Sequence, residues 1–122
     1  MKSEDTVYVL SCYIIAYKKQ ADDKDIHIII QDLKTNETMV AEVISGDCMS
    51  VKKTSRYKQM KNVDEWFVEN IDRPETRFTY LHKPILVELT GVGFFDTVHG
   101  QKGMASNGRE IHPVLSMKLI KK

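Results

Sequence analysis

Ser55-Arg56-Tyr57-Lys58-Gln59-Met60-Lys61-Asn62-Val63-Asp64-Glu65-Trp66-Phe67-Val68-Glu69-Asn70-Ile71 is the stretch on which the fold turns. Met60, Val63, Trp66 and Phe67 recur at three- and four-residue spacing and so form one apolar stripe, which predicts the chain's one helix. The charges run against the helix dipole. Lys52, Lys53, Arg56, Lys58 and Lys61 come first, and Asp64, Glu65, Glu69 and Asp72 follow. Asn62 followed by Glu65 has the form of a capping box, so the segment reads either as two short helices with a new start at Asn62 or as one kinked helix. Arg73-Pro74 closes it.

Three strand-like runs precede the helix. Thr6 to Tyr17 is rich in Val, Ile and Tyr and apolar on both faces, as a long curved strand touching two parts of one core would be. Asp25-Ile26-His27-Ile28-Ile29-Ile30-Gln31 alternates, and Thr38 to Ile44 carries the isolated Glu42. On this alternation Ile26, Ile28, Ile30, Met39, Ala41 and Val43 point inward, while His27, Gln31 and Glu42 lie on the outer face. After a less regular stretch, Pro84 introduces Ile85 to Thr90, which continues into Gly91-Val92-Gly93-Phe94-Phe95. Alternate glycines in a strand mark a bend or the close approach of another backbone. Asp96 to Ile111 reads as a long loop, and Pro113 to Lys121 as the fifth strand. Strand, strand, strand, helix, strand, strand is the element order of a mainly β, five-stranded Greek-key barrel of the OB-fold type, with the helix between strands three and four. An SH3-like barrel and an α+β sandwich are the alternatives.

The chain is 122 residues long, which suits a single domain spanning 1–122. With 18 Lys+Arg against 17 Asp+Glu the net charge is +1, so no global field draws the protein to nucleic acid or to an anionic membrane. No apolar run approaches the roughly 18 to 20 residues of a membrane-crossing helix, and no membrane partner is expected. Met1 to Thr6 does not lead into the pattern of a signal peptide. Cys12 reads as a small buried strand residue. Together with Cys48, in the loop-like Gly46-Asp47-Cys48, it is compatible with two buried thiols or one disulfide.

Val87-Glu88-Leu89-Thr90-Gly91-Val92-Gly93-Phe94-Phe95-Asp96, His99-Gly100-Gln101-Lys102-Gly103 and Asn107-Gly108-Arg109-Glu110-Ile111-His112-Pro113-Val114-Leu115 together resemble a bacterial family of small uncharacterised proteins. Its pattern is TGVGFFD, an HGQTG-like turn and NG-ELHPVL. Asp25-Ile26-His27, Glu42 and Cys48 match its upstream positions, while Lys102 and Arg109 stand where the family has threonine and an apolar residue. Members often carry a secretion signal, so the resemblance allows a secreted or periplasmic mature form. It implies no particular reaction.

The chemistry-bearing candidates are Asp25, His27, Glu42, His99 and His112, an acid/imidazole set of the kind general acid/base work requires. His27, Gln31, Glu42, His99, Gln101, Asn107 and Glu110 are the candidate ligand-binding residues. His27, His99 and His112 are weak metal candidates, because no H-E-x-x-H-like spacing ties any two to one face. The favoured reading makes His99 and His112 pins for the 96–111 loop and Asp25 a brace for its turn, with His82 in a solvated connection. No cofactor is expected: the glycines at 91, 93, 100, 103 and 108 match no phosphate-cradling motif, and no serine sits in a G-x-S-x-G elbow. Tyr8, Tyr13, Tyr17, Phe94 and Phe95 are available for stacking, and the bases from Lys52 to Lys61 give nucleic acid only weak support as a partner. Three readings follow: a ligand-binding module for a glycan, peptide or single-stranded nucleic acid; a metal- or acid/base-dependent, nuclease-like hydrolase; and a structural or interaction domain.

Overall fold

A computed structural model describes residues 6–45, 57–95 and 109–120. The elements are β1 (Val7–Lys19), β2 (Ile26–Asp32), β3 (Thr38–Val43), α1 (Tyr57–Asn70), β4 (Thr79–Phe95) and β5 (Arg109–Leu119). The five strands make one sheet that closes in a ring in the order β1-β2-β3-β5-β4, with β4 returning to β1. All neighbours are antiparallel except β3 and β5, which run parallel and meet at Val40–Glu110 and Ala41–Ile111.

The length of β1 has a structural use. Val7 to Tyr17 pair with β4, and Cys12 to Lys19 pair with β2, so one strand serves two neighbours over overlapping spans. A bulge between Ile14 and Ala16 supplies the bend. The inward side chains Ile26, Ile28, Ile30, Met39, Ala41 and Val43 join Cys12, Ile14, Val87, Leu89, Ile111 and Val114 in one core. Cys12 is fully buried, and burial, with Asp32 nearby, pushes its thiol up to about 12. It is an inert packing group. Cys48 lies outside the described residues.

The helix adds Val63 and Phe67 to this core, while Met60 packs with Ile44, Val92 and Leu115 in a smaller cluster. Phe67 meets Tyr17 edge to face, with ring centroids 5.2 Å apart, and the Tyr17 hydroxyl donates to Asp72 Oδ2 at 2.9 Å. Burial and that bond push the phenol up to about 12. α1 is continuous from Tyr57, so Asn62 lies inside it and starts no new helix. The buried stripe of Met60, Val63 and Phe67 runs through the expected break, and packing overrides the adverse charge order.

The starts of β4 and β5 differ most from the sequence reading. β4 begins at Thr79 and carries Pro84 and the exposed His82 within it. Pro84 has no N–H to offer a ladder, and the pairing jumps there from Ile14–Ile85 to Ala16–Tyr80. β5 begins at Arg109, so Glu110, Ile111 and His112 belong to the sheet and not to a loop. Gly91 and Gly93 face two irregularities of β5, where the register passes from Thr90–Ser116 to Gly91–Val114 and then Gly93–Ile111. A Cβ on Gly91 would collide with Ile111 Cγ2 and stand 2.8 Å from the Pro113 carbonyl oxygen; one on Gly93 would collide with the Tyr8 ring. Both glycines therefore mark close approaches.

Candidate functional site

Sheet geometry assembles the site on the outer face of β2, β3 and β5. His27 stands directly across from Glu42, and side chains at such a pair share one face. His27 Nε2 donates to Glu42 Oε1 at 3.3 Å, and His112 Nε2 approaches the same oxygen at 3.7 Å. Two imidazoles thus converge on one carboxylate oxygen. Burial raises the Glu42 carboxyl, but the hydrogen bond from His27 and the charges of His112 and His27 outweigh it and hold the group below its ordinary value. The same hydrogen bond raises the His27 imidazole above its usual value, against burial and the nearby Lys18.

Asp25 sits one alternation before His27 and is 7% exposed. Its Oδ1 accepts the Ser45 backbone N–H at 2.8 Å, while its own N–H donates to Asp23 Oδ1 at 3.0 Å. The carboxyl, raised chiefly by burial, is thereby committed to joining the start of β2 to the chain just past β3. It braces. Gln31 donates to the Asn36 carbonyl at 3.2 Å and so braces the β2–β3 turn, two alternations from His27. Glu110 is buried and lies beside Val40 in the parallel register.

The outer face is less polar than its sequence suggests. Ala16, Ile29 and Val40 face outward in successive strands, belong to neither core cluster, and are nevertheless buried at 0%, 4% and 5% exposure. Along their edge runs a polar row that sequence reading does not assemble. Lys18 lies across from His27, and its Nζ stands 5.1 Å from the Phe78 ring centroid. Phe78 in turn meets Tyr80 at 5.8 Å, and Tyr80 is 56% exposed. The row therefore passes from Phe78 and Tyr80 through Lys18, His27 and Glu42 to His112. The signal for its aromatic end is the alternation Phe78-Thr79-Tyr80, a strand pattern masked by the proline four residues on.

Among the sequence candidates, then, Asp25, His27, Glu42, Glu110 and His112 share this face. His112 occupies a strand position and reaches Glu42, so its expected place in a loop is replaced by one in the cluster. His99, Gln101 and Asn107 lie outside the described residues, as do Lys52 to Arg56. Among the described residues no three His, Cys, Asp or Glu side chains are arranged to hold a metal ion, and no helix is long and apolar enough to cross a membrane. No protein-family model matches the chain, and neither a curated protein nor a solved structure matches it significantly.

Proposed function

We propose that the chain is an OB-fold-like ligand-binding module that takes a glycan on the outer face of β2, β3 and β5. The ring order β1-β2-β3-β5-β4, with α1 between β3 and β4, supports the Greek-key OB assignment, a fold whose strands two and three form its usual binding face. We extend to it the resemblance to the bacterial family that carries the TGVGFFD, HGQTG-like and NG-ELHPVL signature.

The observation that carries the reading is the row of Tyr80, Phe78, Lys18, His27, Glu42 and His112. Exposed aromatic surface at one end and paired donors and acceptors at the other suit a sugar, which presents an apolar ring face and a rim of hydroxyls. A single strand would bring its phosphates against Glu42 and Glu110, where Lys18 is the base that the described residues place in the row. An extended peptide needs a free sheet edge, and β2 at His27 is paired on both sides. The hydrolase reading rests on one specific feature, the carboxylate–imidazole pair of Glu42 and His27, which is competent for proton transfer.

A glycan array followed by calorimetry tests the proposal. Binding that Tyr80→Ala and His27→Ala each weaken by about tenfold or more supports it. Preferential, salt-sensitive binding of homopolymeric single strands would overturn it. Turnover of a bound glycan, abolished in Glu42→Gln, would instead establish the hydrolase.

A further inference from the structure

At the ends of β1 and β2, on the helix side, lies a cavity of about 170 Å³ whose lining carries three bases, Lys19, Lys24 and Arg73, against one carboxylate, Asp64. It is separate from the His27 row: Lys19 pairs with Ile26, on the face opposite to the Lys18–His27 pair. None of the ion pairs among the described residues involves the three bases. The neighbouring carboxylates are already engaged, Asp25 with the Ser45 N–H and Asp72 with the Tyr17 hydroxyl and the Arg73 N–H.

The bases also stand on tethered backbone. Lys19 N–H donates to the Glu75 carbonyl at 2.7 Å, joining the end of β1 to the segment that follows α1. Lys24, with φ of 64°, is held in its turn by its own N–H to the Gln20 carbonyl at 3.0 Å, while Gln20 N–H donates to the Asp25 carbonyl at 2.8 Å. Arg73 is fixed by its N–H to Asp72 Oδ1 at 2.8 Å. Three cations from three segments thus reach one recess with little of their backbone left to order on binding, which is what preorganised anion recognition requires. Ser45 also lines the recess, and Ile26, Val68 and Pro74 supply its apolar wall.

We infer that this cavity binds a small-molecule phosphate monoester, with the dianion held by Lys19, Lys24 and Arg73 and the organic part against Ile26, Val68 and Pro74. Guanidinium and ammonium groups are the usual partners of phosphate oxygens. The volume is below the roughly 300–1,000 Å³ of sites for drug-sized ligands, so the organic part is small.

The test titrates inorganic phosphate, phenyl phosphate and an unphosphorylated thymidine nonamer into the full ¹⁵N-labelled chain, with chloride holding ionic strength constant. Saturable shifts at the amides of Lys19, Lys24, Ser45 and Arg73 are expected, with phenyl phosphate binding more tightly than inorganic phosphate. Lys24→Gln and Arg73→Gln, at exposed positions that leave the fold intact, should each weaken binding by about tenfold. Absence of saturable shifts, shifts unchanged in both variants, or tighter binding of the nonamer at these amides would overturn the inference. The last outcome would make a polymer's phosphodiester the ligand.

Discussion

Adding one methyl group at Gly91 and, separately, at Gly93 asks whether the sheet's tightest approaches are set by backbone or by side chain. Neither glycine occupies the left-handed region, so alanine meets no backbone strain at either position and gains about 0.4–1 kcal/mol by restricting the unfolded chain. The difference lies in what the new Cβ meets. At Gly91 it meets Ile111 Cγ2, the Pro113 carbonyl oxygen at 2.8 Å and Val114 Cα at 3.2 Å; Ile111 is 1% exposed, and the other two are backbone of a paired strand. Nothing there moves without opening β5. At Gly93 the obstacle is the ring of Tyr8, which is only half-buried and can turn aside. Overpacking costs about 1–3 kcal/mol, so Gly91→Ala should lose about 1–2 kcal/mol net, and Gly93→Ala should stay within about 1 kcal/mol of wild type. With an m-value of about 1.5 kcal/mol/M in urea, the Gly91→Ala midpoint falls by about 1 M with m unchanged. Equilibrium urea unfolding followed by tryptophan fluorescence reads both variants. An unmoved midpoint for Gly91→Ala, or a larger fall for Gly93→Ala, would refute the reasoning.

The larger Gly93→Val should crowd Tyr8 enough to lower the melting temperature, and an unchanged value would count against that contact. Asp25→Ala leaves the buried Ser45 N–H without its acceptor and should cost about 1–3 kcal/mol, more than Asp25→Asn, which keeps an acceptor oxygen; urea midpoints in the opposite order would remove the bracing role. The acid/imidazole pair gives stability a pH signature. The His27 value is raised above 6.5 on folding, so its contribution is full below 6.5 and is lost as pH rises through the folded value; the Glu42 value is lowered below 4.5, so its contribution is full above 4.5 and is lost as pH falls through the folded value. Asp25, raised above 3.8, has the opposite sign to Glu42: its contribution is full below 3.8 and declines as pH rises through its folded value. Net support from His27 and Glu42 is thus greatest between 4.5 and 6.5, and a stability profile that His27→Gln leaves unaltered above 6.5 would contradict the pairing. In a Cys48→Ser chain, Cys12 should react with a thiol reagent no faster than the protein unfolds, and prompt labelling of the native chain would show the site to be open.

Much of the architecture was legible because alternation and helical spacing are local. Ile26, Ile28 and Ile30, and the Met60–Val63–Phe67 stripe, declare their elements without reference to anything distant. The start of β4 was hidden because Pro84 reads as a stop in the sequence, whereas a strand with an irregular neighbour can carry it. The start of β5 was hidden by Gly108, which marks a turn without saying on which side the strand resumes. His27 and Glu42 were readable as outward residues, but their meeting with His112 depends on the parallel contact of β3 with β5, and no local periodicity encodes that register. Lys18 was missed because it belongs to the row only through its pairing with His27, and Phe78 and Tyr80 because they join it only through contact of Phe78 with Lys18 and of the two rings with each other.

Among the described residues, the backbone ladder between β3 and β5 is confined to Val40–Glu110 and Ala41–Ile111, in contrast to the long antiparallel ladders elsewhere. If this seam parts, the remaining backbone pairings are those of an open antiparallel sheet in the order β3-β2-β1-β4-β5. The seam's separation along the chain is comparable to that of β1 with β4, so the shortness of the ladder, and not its distance along the chain, marks it as the ring's weakest closure. Where the ring opens at this seam, the edges of β3 and β5 are available to the same edges of another chain. Exchange of strands between copies at this seam is the characteristic misassembly the topology invites.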